Sequence, residues 1–346
     1  MSFPKIISFT LLNACNLRCK MCGQWSETGY VKNKIVEANP QLGLEVWKKL
    51  IDEISQHKIR FILIRGGEPF LFPKIMDLIK YANSKNLFLS IDTNGTMIEK
   101  YAEELVQLGN MHITFSIDGP EHIHDEVRGI EGSYKKIKTN IALFNALEKK
   151  YNKPLNKSIC FTISKYSYQG LGEMPNVARE MGIKSINIVP YYFFNSDIGE
   201  KYEDELLKYF ETKAYSWKGF YNEDSGINFN IFKTQYEKYI STLNGIENFP
   251  FMPFTIDEYK EWFDNCNTVV GSEKCMNVES LIDIQSNGDA NFCIDFPDYV
   301  IGNIKEMTIK EIWNSEKAEK FRIYRRMRPL AICNRCGAKY CSEIKE

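Results

Sequence analysis

The chain has 346 residues, enough for one large domain or two ordinary ones, and 44% of them are apolar, which supports a sizeable core. A net charge of -1 offers no basic footprint for nucleic acid, and no apolar run reaches the roughly 20 residues that cross a bilayer. The N-terminus lacks a basic start followed by a long apolar stretch, so no signal peptide is read and the cytoplasm is the expected location; there, ten cysteines point to metal or redox chemistry rather than to disulfides.

From Ile6 to about Val189 strand and helix patterns alternate. IISFTLL reads as a strand, and a loop holding Cys15, Cys19 and Cys22 follows it. LEVWKKLIDEISQH is helical, with Leu44, Trp47, Leu50, Ile51 and Ile54 at three- and four-residue spacing. RFILIRGG is an apolar strand ending in glycines, and PKIMDLIKYANSKN is a helix opened by Pro73. LFLSIDTNG is a strand, IEKYAEELVQLG a helix stopped by Gly109, and HITFSIDG a strand whose following stretch, with His122 and His124, reads as a solvated loop. SYKKIKTNIALFNALEKK is a helix with Ser133 as N-cap. SICFTIS, with Cys160 as a buried apolar residue, is a strand, EMPNVAREMG a helix and SINIVPYYF a strand. Six such repeats imply an α/β fold, a partial TIM-like (β/α)6 barrel over residues 1–194, with ligand loops at the carboxyl ends of its strands.

After about Phe194 the alternation stops. Residues 191–263 hold about 21 of the 46 aromatics, so residues 195–265 form an aromatic-rich connecting segment, its rings serving as core or as walls of a substrate pocket. A small cysteine-rich module spans residues 266–346. SLIDIQSNGDANFC reads as a β-hairpin turning at Asn287–Gly288. TIKEIWNSEKAEKFRIYRRM is a helical stretch whose Arg and Lys residues form a solvated face.

The chemistry starts at NACNLRCKMC. Thiolates suit zinc or iron–sulfur clusters, yet this tight group stops at three, where a closed zinc site takes four. Three thiolates hold three corners of a four-iron cubane and leave one iron open to another ligand, as a site for chemistry requires. The spacing Cys15-x3-Cys19-x2-Cys22 after the first strand resembles the radical S-adenosylmethionine (SAM) superfamily. One departure is Met21, where that family often has an aromatic residue. The resemblance implies that the open iron chelates SAM, whose reductive cleavage gives a 5′-deoxyadenosyl radical that abstracts a substrate hydrogen. It also implies SAM contacts from GGEP (Gly66, Gly67, Glu68, Pro69), TNG (Thr93 and Asn94), Ser116 and Arg128. Two glycines admit a ligand close to the backbone, and Glu68 accepts from an ammonium group. The alternative for Arg128 is a surface ion pair with Asp125 or Glu131.

The later cysteines resemble the SPASM/twitch extension of that superfamily. By this resemblance Cys275, Cys293, Cys333 and Cys336 hold one auxiliary 4Fe–4S cluster, with Cys341 as an alternative ligand and Gly288 forming the turn before Cys293. Structural zinc on the same thiolates is the other reading. The resemblance implies a net oxidation, the auxiliary cluster taking the electron of a substrate radical and an external donor such as flavodoxin or ferredoxin supplying the first. The first strand begins at about Ile6, leaving no room for a leader-binding domain, which shifts weight toward a small molecule, a carrier-bound substrate or a peptide presented by a separate partner. Alternatives are a maturase of a ribosomal peptide or protein, a redox-neutral epimerase using Cys341 or Cys266 as hydrogen donor, and a non-catalytic zinc or iron–sulfur scaffold.

Overall fold

The fold comes from a computed structural model and is described for residues 3–337 except 40, 58 and 60. Six strands, β1 (Ile6–Thr10), β2 (Phe61–Arg65), β3 (Phe88–Thr93), β4 (Met111–Ser116), β5 (Asn156–Ile163) and β6 (Ser185–Pro190), lie side by side in sequence order, all parallel. Helices return the chain between them: α1 (Leu44–Gln56), α2 (Ile75–Ser84), α3 (Ala102–Leu108), α4 (Glu121–Arg128), α5 (Ser133–Tyr151) and α6 (Met174–Met181). The expected partial barrel is therefore present. Its helices bind the sheet through the apolar stripes seen in the sequence. In α1 this stripe is Trp47, Leu50, Ile51 and Ile54, with Trp47 packing on Phe9 of β1 at 4.9 Å between ring centroids. Each such side chain contributes about 1.5–3 kcal/mol by leaving water.

The sheet is wider than six strands. The connecting segment holds α7 (Ser196–Phe210), α8 (Phe229–Ser241), α9 (Ile256–Asp264) and a two-residue strand, β7 (Glu247–Asn248), beside β6. The C-terminal hairpin is β8 (Leu281–Ile284) and β9 (Asp289–Asn291), followed by β10 (Gly302–Asn303). β8 pairs in parallel with β1, so the cysteine-bearing module continues the sheet, in the order β10-β9-β8-β1-β2-β3-β4-β5-β6-β7. Gly288 turns the hairpin at φ +94°, as expected of its Asn–Gly pair.

Several local expectations need correction. Pro73 lies two residues before α2, which starts at Ile75. Gly132, not Ser133, caps α5; the Ser133 hydroxyl donates to Asp125 instead. The loop expected around His122 and His124 is helix α4, and His124 is buried with Nδ1 3.3 Å from the Asp118 amide. Cys160 is only half-buried. The long basic helix is two, α11 (Ile309–Trp313) and α12 (Glu316–Met327), after the short α10 (Asn277–Ser280). Its solvated face is also interrupted, because Arg322 and Arg325 are buried. Arg322 lies 4.2 Å over Trp313 and donates to the Val278 and Trp313 carbonyls. A planar guanidinium can satisfy such carbonyls while stacking on a ring.

Candidate active site

The cysteine loop is sewn into the barrel by backbone. Gly67 and Glu68 amides donate to Leu12 and Ala14 carbonyls at 2.9 Å, and Arg18 and Lys20 amides donate to Arg128 and Val127 carbonyls. This contact explains the two glycines of GGEP. A Cβ on Gly66, at φ +130°, would lie 2.4 Å from the Leu12 oxygen, and one on Gly67 would lie 2.0 Å from the Ala14 oxygen. The glycines admit the neighbouring loop as well as bordering the ligand space expected from sequence.

Cys15, Cys19 and Cys22 open onto one cavity of about 340 Å³. The Cys15 Sγ accepts from the Leu17 amide at 3.4 Å, with Asn94 Nδ2 at 3.8 Å. The Cys19 Sγ stands 3.6 Å from Arg128 Nη1. Burial pushes the Cys15 thiol up to about 12 and the Cys22 thiol up to about 11; it raises Cys19 too, against the opposing charge of Arg128. Three desolvated thiols facing one space need a cation to become thiolates, which iron would supply. The donor set therefore fits an iron–sulfur cluster with three protein ligands.

Gly66, Gly67, Thr93, Asn94, Ser116 and Arg128 border the same cavity, as expected. Arg128 is buried, and Nη2 pairs with Asp118 at 2.6 Å; among the described residues it forms no ion pair with Asp125 or Glu131. Asp125 accepts instead from Gly132, Ser133 and Tyr134. Glu68 stands behind the cavity wall. Its Oε1 accepts from the Phe70 amide and the Thr93 hydroxyl, and its Oε2 from the Asn94 amide at 2.8 Å. Burial nevertheless raises its carboxyl to about 7, since those hydrogen bonds offset only part of the desolvation. Glu68 thus ties GGEP to TNG. Pro69 opens the short 3-10 turn Pro69–Leu71.

Inward residues at the strand ends complete the site: Thr10, Arg65, Asp92, Ser116, Thr162 and Val189 all border the cavity, and of these the sequence motifs mark only Ser116. The signal was available: strands alternate faces, and β2, β3, β4 and β6 alternate half-buried with buried residues along their length. Asp295, two residues after Cys293, pairs with Arg65 at 2.8 Å and joins the hairpin module to this rim.

The structure also gathers the second set. Cys293 is pushed well above the ordinary thiol range, first by burial and then by Cys275, Cys333 and Cys336, which are its electrostatic neighbours. Arg325 lies beside all four and donates to the Glu273 carbonyl. The four thiols lie within electrostatic reach of one another and of this guanidinium, and four thiols are the donor set an iron–sulfur cluster takes. Arg335, between Cys333 and Cys336, is wholly buried, donating to Thr268 and Asn265 carbonyls with its guanidinium 4.9 Å over Trp262. It docks the Cys333–Cys336 stretch onto the connecting segment. Cys266 is buried, with Sγ 3.8 Å from the Phe193 carbonyl, and does not border the cavity of Cys15, Cys19 and Cys22. Cys341 lies outside the described residues. Among the described residues no helix is long and apolar enough to cross a membrane.

The aromatic residues from 191 to 263 divide between core and cavity wall. Phe232, Tyr239, Tyr259, Trp262 and Phe263 are core, whereas Tyr191, Tyr192 and Phe220 wall the cavity.

The sequence model of the Radical SAM superfamily matches residues 9–163, and that of the SPASM iron–sulfur cluster-binding domain matches residues 275–337. The AdoMet-dependent heme synthase of Methanosarcina barkeri is 26% identical over 345 residues, 96% of this chain and 88% of that one. Fe-coproporphyrin III synthase of the same organism is 26% identical over 209 residues, 60% of this chain, which spans about half of that relative (49%). Among solved structures, Streptococcus suis SuiB bound to the precursor peptide SuiA matches with TM-score 0.67 and 17% identity, over 97% of this chain and 72% of that one. The matched segments contain both cysteine sets and the GGEP loop, and the chain belongs to the radical SAM superfamily, with a SPASM domain at its C-terminal end.

Proposed function

We propose that this chain is a radical SAM oxidoreductase that removes a hydrogen atom from its substrate and passes the remaining electron to one auxiliary 4Fe–4S cluster. The observation that carries the reading is the single cavity onto which Cys15, Cys19 and Cys22 open together with Gly66, Gly67, Thr93, Asn94, Ser116 and Arg128. Bound there, a cluster and SAM supply a carbon radical that takes the substrate hydrogen. The chain's residues do the rest. Cys15, Cys19 and Cys22 hold the cluster, Arg128 offsets charge at Cys19, and Glu68 fixes the Thr93–Asn94 loop against it. Thr93, Asn94 and Ser116 offer polar groups to SAM, and Tyr191, Tyr192 and Phe220 exclude water. Cys275, Cys293, Cys333 and Cys336 hold the auxiliary cluster, with Arg325 favouring its electron-rich state. A flavodoxin or ferredoxin donates the first electron.

A small-molecule substrate has support from the heme synthase, whose likeness runs along nearly the whole chain. A second reading, maturation of a ribosomal peptide, has support from the peptide-bound SuiB neighbour. The test is anaerobic reconstitution with dithionite and SAM. Formation of 5′-deoxyadenosine, with about eight irons per chain for two four-iron clusters, is expected. A well-formed cluster that yields no 5′-deoxyadenosine overturns the reading, and about four irons overturn the auxiliary cluster.

A further inference from the structure

A second cavity of about 460 Å³ adjoins the first, sharing Met21, Trp25, Tyr191, Tyr192 and Phe220 with it. Its own wall adds Tyr166 and Tyr221 and three cationic residues, Arg18, Lys20 and Lys32, against one carboxylate, Glu27. The cations are held by rings and by replaceable partners. The Arg18 guanidinium lies 4.2 Å over Trp25 and donates to the Cys15 and Leu17 carbonyls; among the described residues no carboxylate pairs with it. The Lys20 ammonium lies 5.3 Å over Tyr166 and pairs with Glu126, a well-exposed residue, and Lys32 pairs with the still more exposed Glu27. Exposed pairs of this kind are worth less than about 1 kcal/mol, so an incoming anion exchanges with them at small cost.

We infer that this annex is the substrate site and takes a carboxylate-bearing ligand with a planar ring, the ring against the aromatic wall and the carboxylate toward Arg18 and Lys20. The inference rests on reading the adjoining cavity as the SAM site. Arg18 and Lys20 flank Cys19 in sequence, so a carboxylate held by them sets the rest of the ligand beside the shared wall and the radical source beyond it. The carboxylate can belong to a small molecule or to an acidic peptide side chain, and the recognition chemistry is the same.

Isothermal titration of the reconstituted, SAM-loaded protein tests this with two matched pairs of probes. One is naphthalene dicarboxylate against its neutral diamide; the other is a Glu–Tyr–Glu peptide against Gln–Tyr–Gln. At least one carboxylate probe is expected to bind about tenfold tighter than its neutral counterpart, the loss of one charge-assisted contact. Arg18→Gln and Lys20→Gln are each expected to lower that affinity about fivefold. Preference for the naphthalene probe assigns the carboxylate to a small molecule, and preference for the peptide assigns it to a polypeptide. Equal binding of charged and neutral forms, or an advantage that survives both substitutions, overturns the inference. Arg18 also shapes the cysteine loop, so iron content is measured for each variant, and Lys20→Gln carries the test if Arg18→Gln loses iron. Release of 5′-deoxyadenosine by the unsubstituted protein without probe is scored separately: cleavage without charge-dependent binding overturns the ligand assignment and leaves the proposed function standing.

Discussion

The two cysteine sets solve opposite problems. Cys15, Cys19 and Cys22 lie within one loop of eight residues, and backbone hydrogen bonds to GGEP and to the end of α4 already fix that loop. Cys275, Cys293, Cys333 and Cys336 come from separated segments: the approach to α10, the end of the hairpin, and the stretch after α12. The first set is a scaffolded site into which a metal group fits. The second is a tie, since a metal bound by all four closes a chain segment of about sixty residues and constrains the unfolded state accordingly. Losing a ligand should therefore cost chemistry at the first set and stability at the second.

The largest effect expected is at the first. Cys19→Ala should abolish SAM cleavage and lower iron from about eight to about four per chain, while the melting temperature moves little. Chromatographic assay of 5′-deoxyadenosine with iron analysis checks this; retained cleavage would remove the loop from the chemistry. Cys293→Ala should do the reverse, keeping SAM cleavage while lowering the melting temperature by about 10 °C, as the loss of several kcal/mol implies. Calorimetry under anaerobic conditions reads it, and equal melting temperatures for the two variants would erase the contrast between site and tie. Gly67→Ala should fall between them. Its Cβ meets the Ala14 oxygen at 2.0 Å, so the cysteine loop must shift, at a cost of about 3 kcal/mol and with loss of iron from the first set alone.

The same contrast governs what the sequence could disclose. The six parallel strands and the first cysteine loop are written locally, in alternating periodicity, turn residues and close spacing. The second set was legible as four cysteines, but not in its surroundings. Arg325 reads as one of several basic residues on a helix, and only the fold brings it beside thiols from three segments. Likewise Arg65 and Asp295 are 230 residues apart, and their pairing follows from the parallel register of β8 on β1. Arg128 was legible as a functional candidate from its motif, yet its true partner, Asp118, lies ten residues before it, across the turn into α4. The motif marks Glu68 as an acceptor, and its three protein donors come from Phe70, two residues on, and from Thr93 and Asn94 at the end of β3, which only the fold brings to it.

The smallest expected effect concerns acid sensitivity around the first set, where two buried groups act in opposite senses. His124 is held neutral, its pKa lowered by burial, and by Arg128, from 6.5 to about 3. The unfolded chain takes up a proton there below pH 6.5 and the folded one does not, so stability falls as pH drops, by about 2 kcal/mol between pH 7 and 5. Glu68 is raised from 4.5 to about 7, so the folded chain takes up its proton first and stability rises by about 2 kcal/mol over the same interval. The two contributions nearly cancel in the unsubstituted protein. His124→Gln should leave the Glu68 contribution exposed, making the change from pH 7 to 5 about 2 kcal/mol more favourable than in the unsubstituted chain. Glu68→Gln should shift it by a similar amount the other way. Urea unfolding of metal-free protein at both pH values gives these differences directly, and slopes displaced in the same direction by both substitutions would contradict the opposing burial of the two groups. Neither substitution removes a thiol of the second set, so the pH response of its iron content should stay that of the unsubstituted protein.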